Sequence, residues 1–191
     1  MSILAGMMIA VGATCYLVVG GVPGAVMFAV GLMAVLTFKM YLFTGQAGKI
    51  PTGEIKIGRL LKTWAGNLYG ACLVAVLLVF TPLGGVIVPK AAAIVATRIA
   101  ISPIEVMIYA FFCGLLMYCA VAGYEATGSW LSAIFPVAVF IMCGFVHCVA
   151  DMFYFALGCD SIIKFIWYTI PATFGNFIGC CTIPIIKNLP R

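Results

Sequence analysis

Charge is what this chain has least of. Only 8% of its 191 residues are Asp, Glu, Lys or Arg, against 65% hydrophobic, which excludes a soluble domain because no water-facing surface can be built from so few charges. Five acids and one histidine leave little for catalysis. There is no HExxH, no nucleophile with a paired base and no metal-spaced cluster, so no enzyme, metal site or cofactor is expected. The nine cysteines form no CxxC pair and read as small buried apolar residues. Even the adjacent Cys180 and Cys181 point to different helix faces, against a disulfide. The net charge of +5 is mostly topological bias and implies no nucleic-acid surface.

What is abundant is membrane-length apolar sequence. Windows able to cross about 30 Å of hydrocarbon at about 1.5 Å per residue fall at roughly residues 3–20, 63–82, 106–124 and 165–186. Two further apolar stretches, 22–48 and 131–158, carry disturbing residues near their middles: Lys39, Thr44 and Gly45 in the first, His147 and Asp151 in the second. The stretch AGNLYGAC at 65–72 returns as FGNFIGCC at 174–181, so that Gly66, Asn67, Gly70 and Cys72 are answered by Gly175, Asn176, Gly179 and Cys181. The copies fall in the third and sixth apolar segments. An odd number of spans per half inverts the second half, which is the inverted repeat of many transport proteins, and interrupted helices at matching positions point to a midplane site. The expected fold is an all-α membrane protein of six transmembrane helices in two inverted three-helix repeats, with the second and fifth helices broken and an aquaporin-like outline. Residues 1–191 are read as one membrane domain, with repeat 1 at about 1–82, an external linker at about 83–103 and repeat 2 at about 104–186.

Basic residues in short loops favour the cytoplasm. Lys49, Lys56, Arg59 and Lys62 in the 46–63 loop, and Lys187 with Arg191 in the tail, place both termini inside a cell membrane. The first segment lacks a basic flank and has the length of a span, so it does not read as a signal peptide.

At the second and fifth segments the residues resemble the formate/nitrite transporter family, which includes hydrosulfide channels. The family's second span breaks at a motif ending LFT, and Leu42, Phe43 and Thr44 followed by Gly45 stand here. Its fifth-span run GFEHSxANMF is similar to GFVHCVADMF at 144–153, and its sixth-span GNxIGG to the run 175–180. AGMMIAVGA in the first span and ATRIAISPIE before the fourth are similar too, with Arg98 where the family has Lys. The likeness covers nearly the whole chain in order. Three departures bear on substrate preference: Tyr41 replaces the family's usual acid, Val146 its Glu and Asp151 its Asn.

The resemblance implies a channel for small monovalent anions of weak acids, of the formate, nitrite or hydrosulfide class, or for the neutral acid, with proton exchange near a central His147. It assigns His147, Thr44 and Asn176 to a polar chamber and Phe28, Leu32, Leu42, Phe43 and Phe140 to apolar constrictions, and it implies a homopentamer in the lipid bilayer. From the residues themselves, a lone histidine at mid-span is costly without partners or water, and its unperturbed pKa of about 6.5 suits proton exchange. The other reading is a neutral imidazole that ties two helices together. Phe28 and Leu32 share a helix face, as do Phe140 and His147, a pattern that ordinary packing also produces. Asn67 and Asn176 read either as helix-binding amides or as pore groups. Arg98 is expected as a vestibule cation and Lys90 as a lipid-headgroup contact. Lys39 could stand in the pathway or snorkel to the interface, and Asp151 could pair with His147 or with Lys39. The alternatives are a pore for water or small neutral solutes, disfavoured by the lack of a repeated NPA pattern, and a non-conducting membrane scaffold.

Overall fold

The computed structural model describes residues 1–189, so Arg191 lies outside the described residues. Among these the secondary structure is helical, without strands: α1 (Ser2–Val19), α2 (Gly21–Thr37), α3 (Phe43–Ala47), α4 (Ile57–Val79), α5 (Gly84–Ile99), α6 (Pro103–Thr127), α7 (Leu131–Met142), α8 (Cys148–Gly158) and α9 (Ile162–Lys187). Helices α1, α4, α6 and α9 are long and apolar enough to cross a membrane, and each overlaps one of the four expected windows. Local chemistry sets several ends. The α6 N-terminus is a capping box in which the Ser102 hydroxyl accepts the Glu105 N–H while the Glu105 carboxylate accepts the Ser102 N–H, with Pro103 opening the helix. Gly128, with φ +68°, closes it in the left-handed region.

The sequence boundaries need two adjustments. Helix α4 begins at Ile57 rather than near residue 63, because Arg59 and Lys62 are good helix formers that lie exposed on its first turns. The segment read as a linker is largely helix α5, whose Ile87, Ala91 and Val95 recur at helical spacing and are buried.

Both interrupted segments break as expected, at 38–42 between α2 and α3 and at 143–147 between α7 and α8. The two breaks begin with the same hydrogen bond: Met40 N–H to the Val35 carbonyl in one and Phe145 N–H to the Phe140 carbonyl in the other, both 2.9 Å. Closing that bond turns one residue left-handed, Gly144 at φ +67° and Lys39 at φ +50°. Glycine adopts this conformation without strain, whereas a lysine there costs about 1–2 kcal/mol.

The two related asparagines have matched surroundings. Asn67 Oδ1 accepts the Phe43 N–H at the start of α3, and its Nδ2 donates to the Ser2 and Tyr41 carbonyls. Asn176 Oδ1 accepts the Cys148 N–H at the start of α8, and its Nδ2 donates to the Ala110 and Val146 carbonyls. Each amide thus fastens a short half-helix to a long one through backbone groups that would otherwise be unpaired in an apolar interior. Glycine makes room for this. A methyl group at Gly6 would strike the Asn67 carbonyl and one at Gly114 the Asn176 carbonyl, so α1 packs on α4, and α6 on α9, at backbone contact.

Candidate functional site

The helix that follows the second break leaves its first N–H groups without intrahelical partners. His147 takes the capping position, and its Nδ1 accepts the Ala150 N–H at 3.2 Å. A ring nitrogen that accepts a hydrogen bond carries no proton, so the neutral imidazole has its hydrogen on Nε2. That nitrogen lies 3.1 Å from Thr44 Oγ1, on the half-helix after the first break. The two interruptions therefore meet in one hydrogen bond, between residues that are each 1% exposed. Thr44 accepts from the imidazole and has its own hydroxyl hydrogen left to donate.

Aromatic and aliphatic groups enclose this pair. The Phe140 ring stacks on His147 with centroids 5.5 Å apart and planes at 18°, and Phe28 meets Phe140 edge-on at 5.7 Å and 85°. Leu32, one turn after Phe28 on α2, is also buried, as are Leu42 and Phe43 at the start of α3. Each break borders a cavity. That beside the first break measures about 340 Å³ and is lined by Lys39, Leu42, Gln46, Lys49 and Glu125 among others. That beside the second measures about 200 Å³, with Tyr16, Arg98, Gly144, Phe145 and Tyr154 in its wall.

Asn176 is placed as a strut, since both its N–H donors are taken by backbone carbonyls. Arg98 borders the second cavity, donates to the Gly144 and Phe145 carbonyls within the second break, and holds its Nε 3.6 Å from Asp151 Oδ1. Asp151 pairs with neither partner expected from the sequence. It takes Arg98 and the Tyr168 hydroxyl, 2.6 Å from Oδ2, because the first turn of α8 directs it toward α5 and α9. Lys39 borders the first cavity with an exposed side chain. Lys90 is engaged too: its ammonium donates to the Leu17 and Val18 carbonyls at the C-terminus of α1, where a cation complements the helix dipole. Tyr168 and Tyr154 were absent from the sequence reading. Tyr168 lies 17 residues from Asp151, with no periodicity to link them; Tyr154 lies two turns beyond His147 on α8, a spacing that could have marked it.

A model of the formate/nitrite transporter family matches residues 1–187. The chain is 32% identical over 175 residues to the uncharacterized transporter YrhG of Bacillus subtilis (strain 168), covering 82% of this chain and 66% of that one. It is 30% identical over 190 residues to a probable formate transporter of Methanothermobacter thermautotrophicus, covering 82% and 69%. The chain thus spans about two thirds of the length of these relatives. Its fold is similar to that of a pentameric formate channel with formate bound, at a TM-score of 0.78 and 24% identity over 95% of this chain and 91% of the other. It is also similar to an FNT family ion channel, at 0.86 and 21% over 97% and 86%. Family and apolar helices together make this a multi-pass membrane protein of the transporter class rather than an enzyme.

Proposed function

We propose, since this chain belongs to the formate/nitrite transporter family, that it is a membrane channel for small monovalent anions of weak acids, with proton exchange near His147. One observation carries the reading: the 3.1 Å contact of Thr44 with His147 joins the two helix breaks inside an aromatic enclosure, with a cavity bordering each break. A bare anion entering such an enclosure loses hydration worth several kcal/mol, whereas its neutral acid loses far less. The free Thr44 hydroxyl hydrogen is the group offered to the solute, and the His147 Nε2–H holds that hydroxyl in place. Arg98 gathers the anion on one side, while Phe28, Leu32 and Phe140 exclude water and larger ions. Leu42 and Phe43 narrow the approach from the Lys39 side.

In this reading the chain makes six spans in two inverted three-helix repeats, supported by the matched asparagine struts and breaks. Both termini face the cytoplasm. The assembly is a homopentamer, a reading supported by the likeness in fold to a pentameric formate channel. The test is flux in proteoliposomes of formate, nitrite, hydrosulfide, lactate and acetate at two pH values. Formate, nitrite or hydrosulfide is expected to cross fastest, and His147→Phe and His147→Asn to change the pH dependence. Unchanged rate and pH dependence in both variants would remove the histidine from the mechanism, and no flux of any of these solutes would remove the channel reading.

A further inference from the structure

The two helix breaks match in hydrogen bonding but not in the residue that turns left-handed. Gly144 makes the turn without strain, whereas Lys39 makes it at φ +50°, where a side chain is disfavoured. Strain kept beside a cavity points to a use for the side chain. That side chain is also unpaired. Among the described residues the ion pairs are Lys49–Glu125, Arg98–Asp151 and Lys164–Asp160, which leaves the Lys39 ammonium without a carboxylate partner.

Lys39 lines the cavity of about 340 Å³ beside the first break, where the other charged wall residues, Lys49 and Glu125, pair at 2.9 Å and offset each other. Its own charge therefore stands uncompensated. Tyr41 is in the same wall and carries the Arg59 guanidinium 4.8 Å from its ring centroid, so the nearest further charge is positive as well. At the second break the Arg98 charge is offset by Asp151 instead. A neutral donor joins Lys39: Thr63 donates to Gln46 Oε1 at 2.9 Å, which leaves Nε2 as the open end of an amide that lines this cavity. Lys39 is exposed and Gln46 half-buried, so both groups meet the water that fills the opening.

We propose that Lys39 and Gln46 form a binding site for a small monoanion in the first-break cavity, from which the solute passes Leu42 and Phe43 to reach Thr44 and His147. Gln46 stands two residues past Thr44 on α3, so the site adjoins that contact. At about 30 Å³ per water the cavity holds the ion with part of its hydration, and such an ion binds weakly enough to move on. The inference deepens the channel reading and rests on it for its purpose.

The test is Lys39→Gly, which removes the charge and relieves the turn, with Lys39→Arg as the variant that keeps the charge. Two measurements are made on the full-length protein: formate flux in proteoliposomes against formate concentration at low and high ionic strength, and the formate-induced rise in unfolding temperature in detergent at fixed ionic strength. The expected apparent KM at low ionic strength is about two- to tenfold higher in Lys39→Gly and near wild type in Lys39→Arg. Added salt should shrink that difference, because the screening length falls from about 30 Å at 0.01 M to about 3 Å at 1 M. A lysine that merely shapes the backbone would show no such salt dependence. An unaltered KM in Lys39→Gly, or an increase that salt does not diminish, would overturn the site and leave the channel reading standing. If wild type carries no formate, formate transport fails and the thermal measurement decides the site. A rise lost in Lys39→Gly and kept in Lys39→Arg then upholds it, whereas a rise equal in wild type and Lys39→Gly, or absent from both, overturns it.

Discussion

Replacing Arg98 by Met isolates what holds the second break together. The substitution keeps most of the side-chain length but deletes the donors to the Gly144 and Phe145 carbonyls and the cation 3.6 Å from Asp151. Only 15% of the Arg98 side chain and 3% of the Asp151 side chain are exposed, so solvent screens little and the abandoned carboxylate keeps only the Tyr168 hydroxyl. Breaking a buried pair from one side costs about 3–5 kcal/mol. For a chain of this size each kcal/mol lowers the unfolding temperature by about 2–4 °C, giving a fall of roughly 6–20 °C. Asp151→Asn alone is expected to cost less, because Arg98 keeps its two carbonyl acceptors and Asn can still accept from Tyr168. In the double variant the stranded charge is gone, and at least about 2 kcal/mol of the Arg98→Met penalty should return. Thermal unfolding in detergent, followed by the folded fraction on size exclusion, measures all three variants. An Arg98→Met protein within about 2 °C of wild type, or strictly additive losses in the double variant, would refute a buried pair that anchors the break.

Thr44→Val should leave the His147 Nε2–H without its acceptor, with a stability loss of about 1–3 kcal/mol and slower anion flux, read by unfolding temperature and proteoliposome uptake. Lys39→Gly should raise the unfolding temperature by about 2–8 °C, because glycine relieves a left-handed backbone that Gly144 adopts freely at the other break. Gly179→Ala should lower stability by at least about 1 kcal/mol, since the new methyl meets the Phe111 carbonyl between α6 and α9, where the backbone cannot yield locally. Phe140→Ala removes the ring that stacks on His147 and touches Phe28, so a size-graded series of monocarboxylates should show flux of larger members that wild type excludes.

Helical class, membrane residence, the four long segments and the location of both breaks were legible in the sequence, because each follows from local composition: apolar length, scarce charge, and Lys, Gly or His where an uninterrupted helix would have none. Repetition of Gly-Asn-x-x-Gly disclosed a correspondence between the third and sixth segments, and the family pattern marked Thr44 and His147. Partner choice was not legible. Asp151 lies one helical turn from His147, yet its carboxylate turns to Arg98 on α5 and Tyr168 on α9, because the His147 Nδ1 is already committed to the cap and Nε2 to Thr44. Asn176, which the family pattern assigned to the polar chamber, spends its amide on three backbone groups, partners that its spacing did not disclose. Sequence alone fixes which groups must leave water, since transfer free energy belongs to each residue. The tertiary structure decides whom they meet there, because hydrogen bonds and ion pairs act over about 3–4 Å, and only packing of distant segments brings atoms that close.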